Sequence, residues 1–216
     1  MQTGFNEEKL HALMGRALND FGAVSQAPLV VIGDKLGLYK AMATAEGVTS
    51  ATLAQATGTH ERYVREWLNA NAASGYIDYH PATGCYSMSA EQAMVFADDT
   101  SPAFLIGAWQ SVLAAVKIAD RLEQSFKTGA GIGWHEHDHA LFCGIERFFK
   151  GGYAQNLVPV WIPALDGVQQ KLEAGARVAD IGCGLGASTI LMAQAYPNSS
   201  FIGFDYHAGS IEQARL

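Results

Sequence analysis

Apolar residues recur every three or four positions near the start of the chain. Asn6, followed by Glu7 and Glu8, is typical of a helix N-terminus, because its side chain can accept a bond from a backbone N–H. One face of the predicted helix is apolar and consists of Leu10, Leu13, Met14, Ala17, Phe21 and Val24. Pro28 is expected to break or kink this helix, with a second, imperfect helix over residues 29–43. The heptad-like stripe suits either self-association or docking on the same chain.

Residues 48–89 have the pattern of two helices followed by two short strands. A helix through Ala56 and a longer one over residues 60–74 have helix-turn-helix spacing. The strands cover residues 76–79 and 86–88, and a Pro-to-Gly turn joins them. Together these elements predict a winged helix.

The middle of the chain is helical and then aromatic. Residues 101–127 predict one long helix or a helical pair, and the glycine-rich residues 129–133 predict a flexible joint. Six aromatic residues follow: Trp134, Phe142, Phe148, Phe149, Tyr153 and Trp161. They could pack as a core between two domains or form the wall of an apolar acceptor pocket.

The most informative pattern is an apolar strand that leads into Gly182, Gly184 and Gly186 and then into a helix. Glycines at this spacing allow positive φ and close approach of a ligand to the backbone. A second strand over residues 201–204 ends at Asp205, where nucleotide-binding folds hydrogen-bond ribose hydroxyls. We therefore expect a nucleotide-type cofactor site in an α+β chain.

The composition of the chain narrows the class of protein. At 216 residues and 49% hydrophobic content, the chain can bury a packed core, and its net charge of −7 disfavours binding to nucleic acid or anionic membranes. Three widely spaced cysteines without a Cys-x-x-Cys pair fit reduced thiols in the cytoplasm. The N-terminus lacks a secretory signal pattern, and the longest apolar stretch is interrupted by polar residues, so neither secretion nor a membrane span is expected.

The charges of the winged-helix segment argue against DNA binding. Arg62 and Arg65 could in principle read bases, but between residues 46 and 90 they stand against four carboxylates, a net charge of −2. We expect the two arginines to pair with Glu66 and Glu61 on one helix face. The module is accordingly predicted to serve dimerisation or as a scaffold.

A histidine-rich segment carries His135, His137 and His139 at alternate positions. It is similar to the His-x-His-x-Asp-His metal-ligand run of metallo-β-lactamase-type hydrolases, but it is one residue short and follows glycines instead of an apolar strand. No metal is therefore expected. A polar turn, facing solvent or lying between domains, is predicted, with substrate contact as the alternative.

Two cofactors compete for the glycine loop, because residues 182–187 fit both the Gly-x-Gly-x-x-Ala pattern of NAD binding and Gly-x-Gly-x-Gly. Asp180 stands where dinucleotide folds usually have an apolar residue, and a carboxylate there suits a cationic cofactor. The third glycine also follows the second closely, and the nucleotide fold begins only near residue 177. These features favour S-adenosylmethionine.

The run over residues 180–186 resembles the first signature of class I S-adenosylmethionine-dependent methyltransferases, and Phe204-Asp205-Tyr206 resembles the second. Residues 33–39, 57–68 and 161–167 are similar to a bacterial subfamily with an N-terminal winged helix. The resemblance implies three parts: N-terminal helices with a winged helix (1–98), a helical linker (99–160), and a Rossmann-like methyltransferase domain from residue 161 to residue 216.

The resemblance also implies roles for individual residues. The loop from Gly182 through Cys183 and Gly184 to Gly186 would lie against the methionine part of the cofactor. Asp205 would accept hydrogen bonds from both ribose hydroxyls, and Tyr206 would border the adenine. Asp180 would act through hydrogen bonds around the loop and the amino group.

Class I methyltransferases contain a seven-stranded sheet, and this chain supplies two of those strands. The resemblance thus implies a truncated catalytic domain, an inactive and aggregation-prone chain, and a base, if any, beyond Leu216. The complete protein is expected to methylate a small-molecule acceptor as a homodimer formed through the N-terminal helices and winged helix. Two alternatives stay open: a winged-helix transcription regulator that senses a metabolite, and an NAD-dependent dehydrogenase.

Overall fold

The structure, a computed structural model, describes residues 4–216 and divides into two compact units. The first unit ends at Ser89, and the second runs from Ala90 to Leu216. The first is mostly helical and the second ends in an α/β region, so the chain is α+β as predicted. The division into three parts, after residues 98 and 160, stays a prediction. Within residues 4–216, no helix is long and apolar enough to cross a membrane.

The first unit contains a helix-turn-helix and a short hairpin. Its helices are α1 (Glu7–Lys35), α2 (Leu38–Ala43), α3 (Ser50–Thr57) and α4 (Glu61–Ala73). Its strands, β1 (Asp78–His80) and β2 (Cys85–Ser87), pair antiparallel. The predicted winged helix is confirmed, although the first strand begins two residues later than expected.

The predicted break at Pro28 is wrong, because Pro28 lies inside α1, and the predicted second helix over residues 29–43 is divided between the end of α1 and α2. The alternative, a kink at Pro28, stays a prediction. Proline removes one helical hydrogen bond and crowds the preceding turn. Ala27 and Val30, on either side of it, are nevertheless 1% and 0% exposed, so packing of this face holds the helix together. The chain turns only at Gly37, whose φ of 69° favours glycine. The cap at Asn6 is confirmed by a 2.9 Å bond from the backbone N–H of Lys9.

The core of the first unit joins α1, α2 and α4 through buried aromatic residues with satisfied polar groups. The Tyr39 hydroxyl donates to Asn71 at 2.6 Å, and the Trp67 indole N–H donates to the Leu29 carbonyl at 2.8 Å. Burial raises the pKa of Tyr39, so this phenol stays protonated. A Cβ at Gly33 would lie 2.5 Å from the Trp67 ring, which shows how closely α1 and α4 approach.

The second unit begins with helices α5 (Ala90–Phe96), α6 (Ile106–Val116), α7 (Ala119–Thr128), α8 (His139–Asn156) and α9 (Val168–Ala174). The pair α6 and α7 confirms the helical prediction over residues 101–127. A single 3-10 turn, Trp134–Glu136, precedes α8, and a π-helical turn, Leu157–Trp161, follows it.

Helices α6 and α8 pack so closely that their backbones are in contact. A Cβ at Gly107 would lie 2.4 Å from the carbonyl oxygen of Gly144, and a Cβ at Gly144 would lie 2.5 Å from the Ser111 hydroxyl. No larger side chain fits either position without separating the helices. This contact fixes the position of α8, which bounds the site described below.

The chain ends in a β-α-β-α arrangement. Strands β3 (Arg177–Ile181) and β4 (Ser200–Phe204) run parallel, and helices α10 (Ala187–Ala195) and α11 (Ala208–Ala214) follow them. Both predicted strands are confirmed. A small apolar cluster of buried residues, Ile162, Leu172 and Tyr196, packs against Val178 of β3 and Phe201 of β4. Large apolar side chains on the other face of the sheet, which has few contacts, are 76%, 48% and 50% exposed at Ile181, Ile202 and Phe204.

Candidate functional site

The glycine loop leaves β3 in a left-handed conformation and turns into α10. The φ angles of Gly182, Gly184 and Gly186 are 78°, 56° and 86°, which side-chain-bearing residues rarely adopt. The backbone N–H groups of Gly182 and Cys183 donate to the Phe204 carbonyl at 2.7 and 3.1 Å. The loop is therefore tied to the end of the neighbouring strand.

Asp205 connects the two parts of the predicted site, the glycine loop and the end of β4. Its carboxylate accepts from the backbone N–H of Gly184 at 2.9 Å and from that of His207 at 2.8 Å. A carboxylate has about four lone-pair positions, so two stay available to a ligand. The structure thus brings Asp205 and the glycine loop together, as the sequence predicted.

Asp180 supports the loop from within β3. One carboxylate oxygen accepts from the Ser188 hydroxyl at 2.8 Å and from the Thr189 hydroxyl at 2.6 Å, both in the first turn of α10. Its charge also lies near the positive end of that helix. In this structure Asp180 bonds to helix side chains, and its predicted contact with a cofactor amino group stays a prediction.

Cys183 packs under the loop against Gly203 of β4. A Cβ at Gly203 would lie 2.7 Å from the Cys183 sulfur, so this position requires glycine. Burial and the charges of Asp180 and Asp205 raise the pKa of the Cys183 thiol. A protonated thiol is a poor nucleophile. The predicted contact of Cys183 with a cofactor stays a prediction.

A cavity of about 130 Å³ lies between the loop and α8. Typical small-molecule pockets hold roughly 300–1,000 Å³, so the described residues enclose only part of a ligand. One wall is formed by Gly182, Cys183, Gly184, Leu185, Ala187, Ser188 and Ser210. The opposite wall is formed by Trp134, Phe142, Ile145, Glu146, Phe149 and Tyr153.

Four of the six aromatic residues of the middle segment, Trp134, Phe142, Phe149 and Tyr153, line the cavity, and Phe148 and Trp161 do not. That the cavity holds an acceptor stays a prediction. Phe142 is buried and Phe149 is half-exposed at the wall. The sequence pattern did not identify which residues face the loop. The spacing of these residues places them on one face of α8, but this identifies the cavity-lining residues only if α8 is known to lie beside the loop.

The two residues after Asp205 behave differently. Tyr206 is 69% exposed, does not line the cavity, and packs edge-on against His135 with ring centres 6.2 Å apart. His207 stacks on Phe142 at 4.3 Å and caps α11 by accepting from the Ser210 N–H at 3.2 Å. His207 is a site neighbour that the sequence analysis missed.

The histidine-rich segment forms the 3-10 turn and the cap of α8. Asp138 accepts from the Ala140 N–H at 2.9 Å and pairs with Lys117 at 2.6 Å, and these bonds lower the pKa of Asp138. Glu136 pairs with Arg121. In the described part of the chain, no group of three or more His, Cys, Asp or Glu side chains is placed to hold a metal ion.

The arginines of the winged helix are engaged with carboxylates on α4. Arg62 pairs with Glu66, and Arg65 pairs with Glu61 at 2.8 Å, which confirms the predicted pairs. Hydrogen bonds from Ser50 and Arg65 lower the pKa of Glu61. These pairs reduce the positive charge that the helix offers to phosphates.

Two family models match parts of the chain. Residues 24–97 match the Rv2258c-like winged HTH domain, and residues 172–216 match a methyltransferase domain. The chain therefore combines a winged helix-turn-helix domain with methyltransferase-domain sequence. This agrees with the resemblance noted in its signatures.

Curated relatives match a short part of the chain. Trans-aconitate 2-methyltransferase of Afipia carboxidovorans is 47% identical over 55 residues, which make up 24% of this chain and 21% of that protein. The enzyme of the same name from Rhodopseudomonas palustris is 48% identical over 47 residues, or 22% of this chain and 18% of that protein.

Solved structures share the fold over most of the chain. The mitomycin 7-O-methyltransferase MmcR has a TM-score of 0.65 at 20% identity, covering 96% of this chain and 62% of that one. Human N-acetylserotonin methyltransferase, in complex with SAM, has a TM-score of 0.61 at 15% identity, covering 100% and 64%. At such identities the likeness is one of fold, and the chain spans less than two thirds of either structure.

Proposed function

We propose that this protein is an S-adenosylmethionine-dependent methyltransferase acting on a small-molecule acceptor. The observation that carries the proposal is the bond from the Gly184 N–H to Asp205, which joins a left-handed glycine loop to a carboxylate at the end of the next strand. That combination serves nucleoside cofactors in doubly wound folds. Solved structures of similar fold include complexes with SAM and with SAH, which supports this choice of cofactor.

Each site residue then has a role toward the cofactor. The loop from Gly182 to Gly186 lies against its methionine part, and Cys183 holds the loop from below. Asp205 accepts from the ribose hydroxyls through the lone pairs that Gly184 and His207 leave available. Exposed Tyr206 borders the adenine, and Asp180 fixes the start of α10 behind the loop.

The bound cofactor supplies an electrophilic methyl group on a sulfonium. The chain's own part is to hold an acceptor in line with that methyl and to exclude water. The aromatic wall of Phe142, Phe149 and Tyr153 suits this task, because it offers apolar area and flat ring faces beside the loop. A small, partly apolar acceptor fits such a wall best.

A calorimetric titration with S-adenosylmethionine, S-adenosylhomocysteine and NAD tests the proposal. We expect binding of the first two without NAD. We expect about tenfold or greater weakening in Asp205→Asn, because the amide NH2 replaces one of the two carboxylate oxygens that accept from Gly184 and His207 and leaves fewer acceptor positions for the ribose. The matched control is Asp166→Asn, on an exposed loop, with unchanged affinity. Preference for NAD would establish the dehydrogenase alternative instead.

We also propose a homodimer formed through the N-terminal helices and winged helix. Over residues 7–24, roughly 26 Å of helix, α1 has no buried residue. The exposed fractions of Leu13, Met14, Phe21 and Val24 are 60%, 50%, 70% and 62%. An apolar stripe of this length in water favours pairing, and a second copy presents a matching stripe of the same spacing.

Light scattering after size exclusion tests the dimer. We expect a dimer for the unaltered chain and a monomer for the double variant Leu13→Glu with Phe21→Glu, because charges would then lie in the stripe. The control variant Asn19→Glu adds a charge to the same exposed helix outside the stripe and should stay dimeric. A monomeric unaltered chain would contradict the proposal.

The location and the domain division of the protein complete the proposal. The three free cysteines fit a cytoplasmic location. The division into residues 1–98, 99–160 and 161–216 is kept as a domain hypothesis. The regulator alternative is not favoured, because Arg62 and Arg65 already pair with carboxylates.

A further inference from the structure

One face of α8 is turned toward the glycine loop. Its cavity-lining residues, Phe142, Ile145, Glu146, Phe149 and Tyr153, follow one another at steps of three, one, three and four. Such spacing places them on a single helical face. Four of the five are apolar or aromatic, so Glu146 is a carboxylate set in an otherwise apolar stripe.

Glu146 differs from the other carboxylates of the site in having no partner. Asp180 and Asp205 each accept two hydrogen bonds from the chain. Glu146 is half-buried, and within residues 4–216 it makes no hydrogen bond and no ion pair. Burial raises the pKa of the neighbouring Cys143, and the negative charge of Glu146 adds to this effect.

Two basic side chains, Arg147 and Lys150, follow Glu146 on α8. Arg147 donates to Gln110 at 3.1 Å and lies over the Phe104 ring at 5.3 Å. Lys150 and Arg147 share with Glu146 the lining of a second cavity, which Asp99 also borders. A half-buried carboxylate without a partner retains its capacity to accept a hydrogen bond.

We propose that Glu146 is the polar contact of an acceptor site that takes a flat aromatic molecule bearing a hydroxyl group. The ring packs on Phe142, Phe149 and Tyr153, and the hydroxyl donates to Glu146. On methylation the hydroxyl oxygen forms a bond to the methyl carbon as that carbon's bond to the sulfonium sulfur breaks, and the hydroxyl proton passes to the Glu146 carboxylate. The methylated product has no hydrogen left to donate, so it loses the bond to Glu146 and leaves the site. The inference rests on the proposed function and adds the chemical class of the acceptor.

Phenol and anisole are a matched pair of probes, because anisole is phenol with the hydroxyl methylated. Anisole is the more apolar molecule, so it would bind at least as well as phenol to an apolar wall that has no hydrogen-bond acceptor. A hydrogen bond to a charged group raises affinity by about tenfold or more. The bond from phenol to Glu146 should therefore make phenol the more tightly bound of the two probes.

The experiment is a site-resolved NMR titration of the isotope-labelled 216-residue chain with each probe, in the presence of S-adenosylhomocysteine. The amides of Ile145 and Phe149 report on this cavity. Those of Val64 and Ala70 report on a separate apolar cavity in the first unit. We expect shifts at Ile145 and Phe149, with phenol bound at least about tenfold more tightly than anisole.

Variants assign the preference to one side chain. Glu146→Leu should abolish the preference for phenol, and Glu146→Gln, which keeps an acceptor oxygen and the same shape, should reduce it. Glu123→Gln, in an exposed pair with Lys127, should leave it unchanged. If Glu146→Leu does not fold, the isosteric Gln variant decides alone.

Three results would overturn the inference: equal binding of the two probes to the unaltered chain, a phenol preference that survives both Glu146 variants, or shifts confined to Val64 and Ala70. The affinity for S-adenosylhomocysteine, measured in the same samples, separates the two claims. If it binds and phenol is not preferred, only the acceptor site is wrong. If it does not bind at all, the proposed function fails and the inference fails with it.

Discussion

Gly203 offers a sharp test of how the loop is held, because the sequence around it has no motif that demands glycine. In Gly203→Ala, the new Cβ would lie 2.7 Å from the Cys183 sulfur, 3.1 Å from its Cβ and 3.4 Å from the Thr189 hydroxyl. The first distance is too short for any pair of these atoms. Cys183 must move, and the loop that contains it must move as well.

The expected cost follows from two opposing effects. Overpacking of a close contact costs about 1 to 3 kcal/mol. Replacing glycine by alanine recovers about 0.4 to 1 kcal/mol through the unfolded chain. We therefore expect Gly203→Ala to lower the free energy of unfolding by about 1 to 2 kcal/mol. Adding Cys183→Ala removes the sulfur and should restore about half of the loss, since the contact to Cβ remains.

Urea unfolding of the four proteins in this double-mutant cycle measures the effect. Gly152→Ala is the matched control: it lies inside α8 with no atom within 4 Å of the new Cβ, and should be neutral or stabilising. Affinity for S-adenosylhomocysteine should fall in Gly203→Ala and recover in the double variant. Unchanged stability in Gly203→Ala, or no coupling to Cys183, would refute the described packing of the loop.

Three further predictions follow from single contacts. Gly107→Ala should destabilise the chain to urea by at least about 1 to 3 kcal/mol, because its Cβ would lie 2.4 Å from the Gly144 carbonyl oxygen. Asp180→Ala removes two hydroxyl bonds and should lower the free energy of unfolding by about 1 to 3 kcal/mol. The lowered pKa of Glu61 means that its bonds contribute stability above its ordinary value of 4.5, and that this contribution is lost as pH falls through the lower folded value. Acid unfolding of Glu61→Gln should therefore show less pH dependence than that of the unaltered chain; an identical profile would contradict the assignment.

Features that depend on local chemistry could be read from the sequence. The strand, glycine and carboxylate pattern around Asp205 placed the loop correctly, because positive φ and strand alternation are decided within a few residues. The helix-turn-helix and the ion pairs on α4 could be predicted for the same reason.

Features that depend on which elements meet could not be read in this way. The helix through Pro28 persists because Ala27 and Val30 are buried in the core of the first unit, and nothing near Pro28 in sequence signals that packing. The aromatic residues of the middle segment gave two interpretations until α8 was seen beside the loop. Glu146 was overlooked because a single glutamate in a helix is ordinarily a solvent-exposed residue.

A crystal structure of the chain with S-adenosylhomocysteine tests the central claim most directly. The account predicts the Asp205 carboxylate within hydrogen-bonding distance of both ribose hydroxyls, and the backbone of residues 182–186 against the methionine part. A ribose held elsewhere, with Asp205 bonded only to Gly184 and His207, would contradict it.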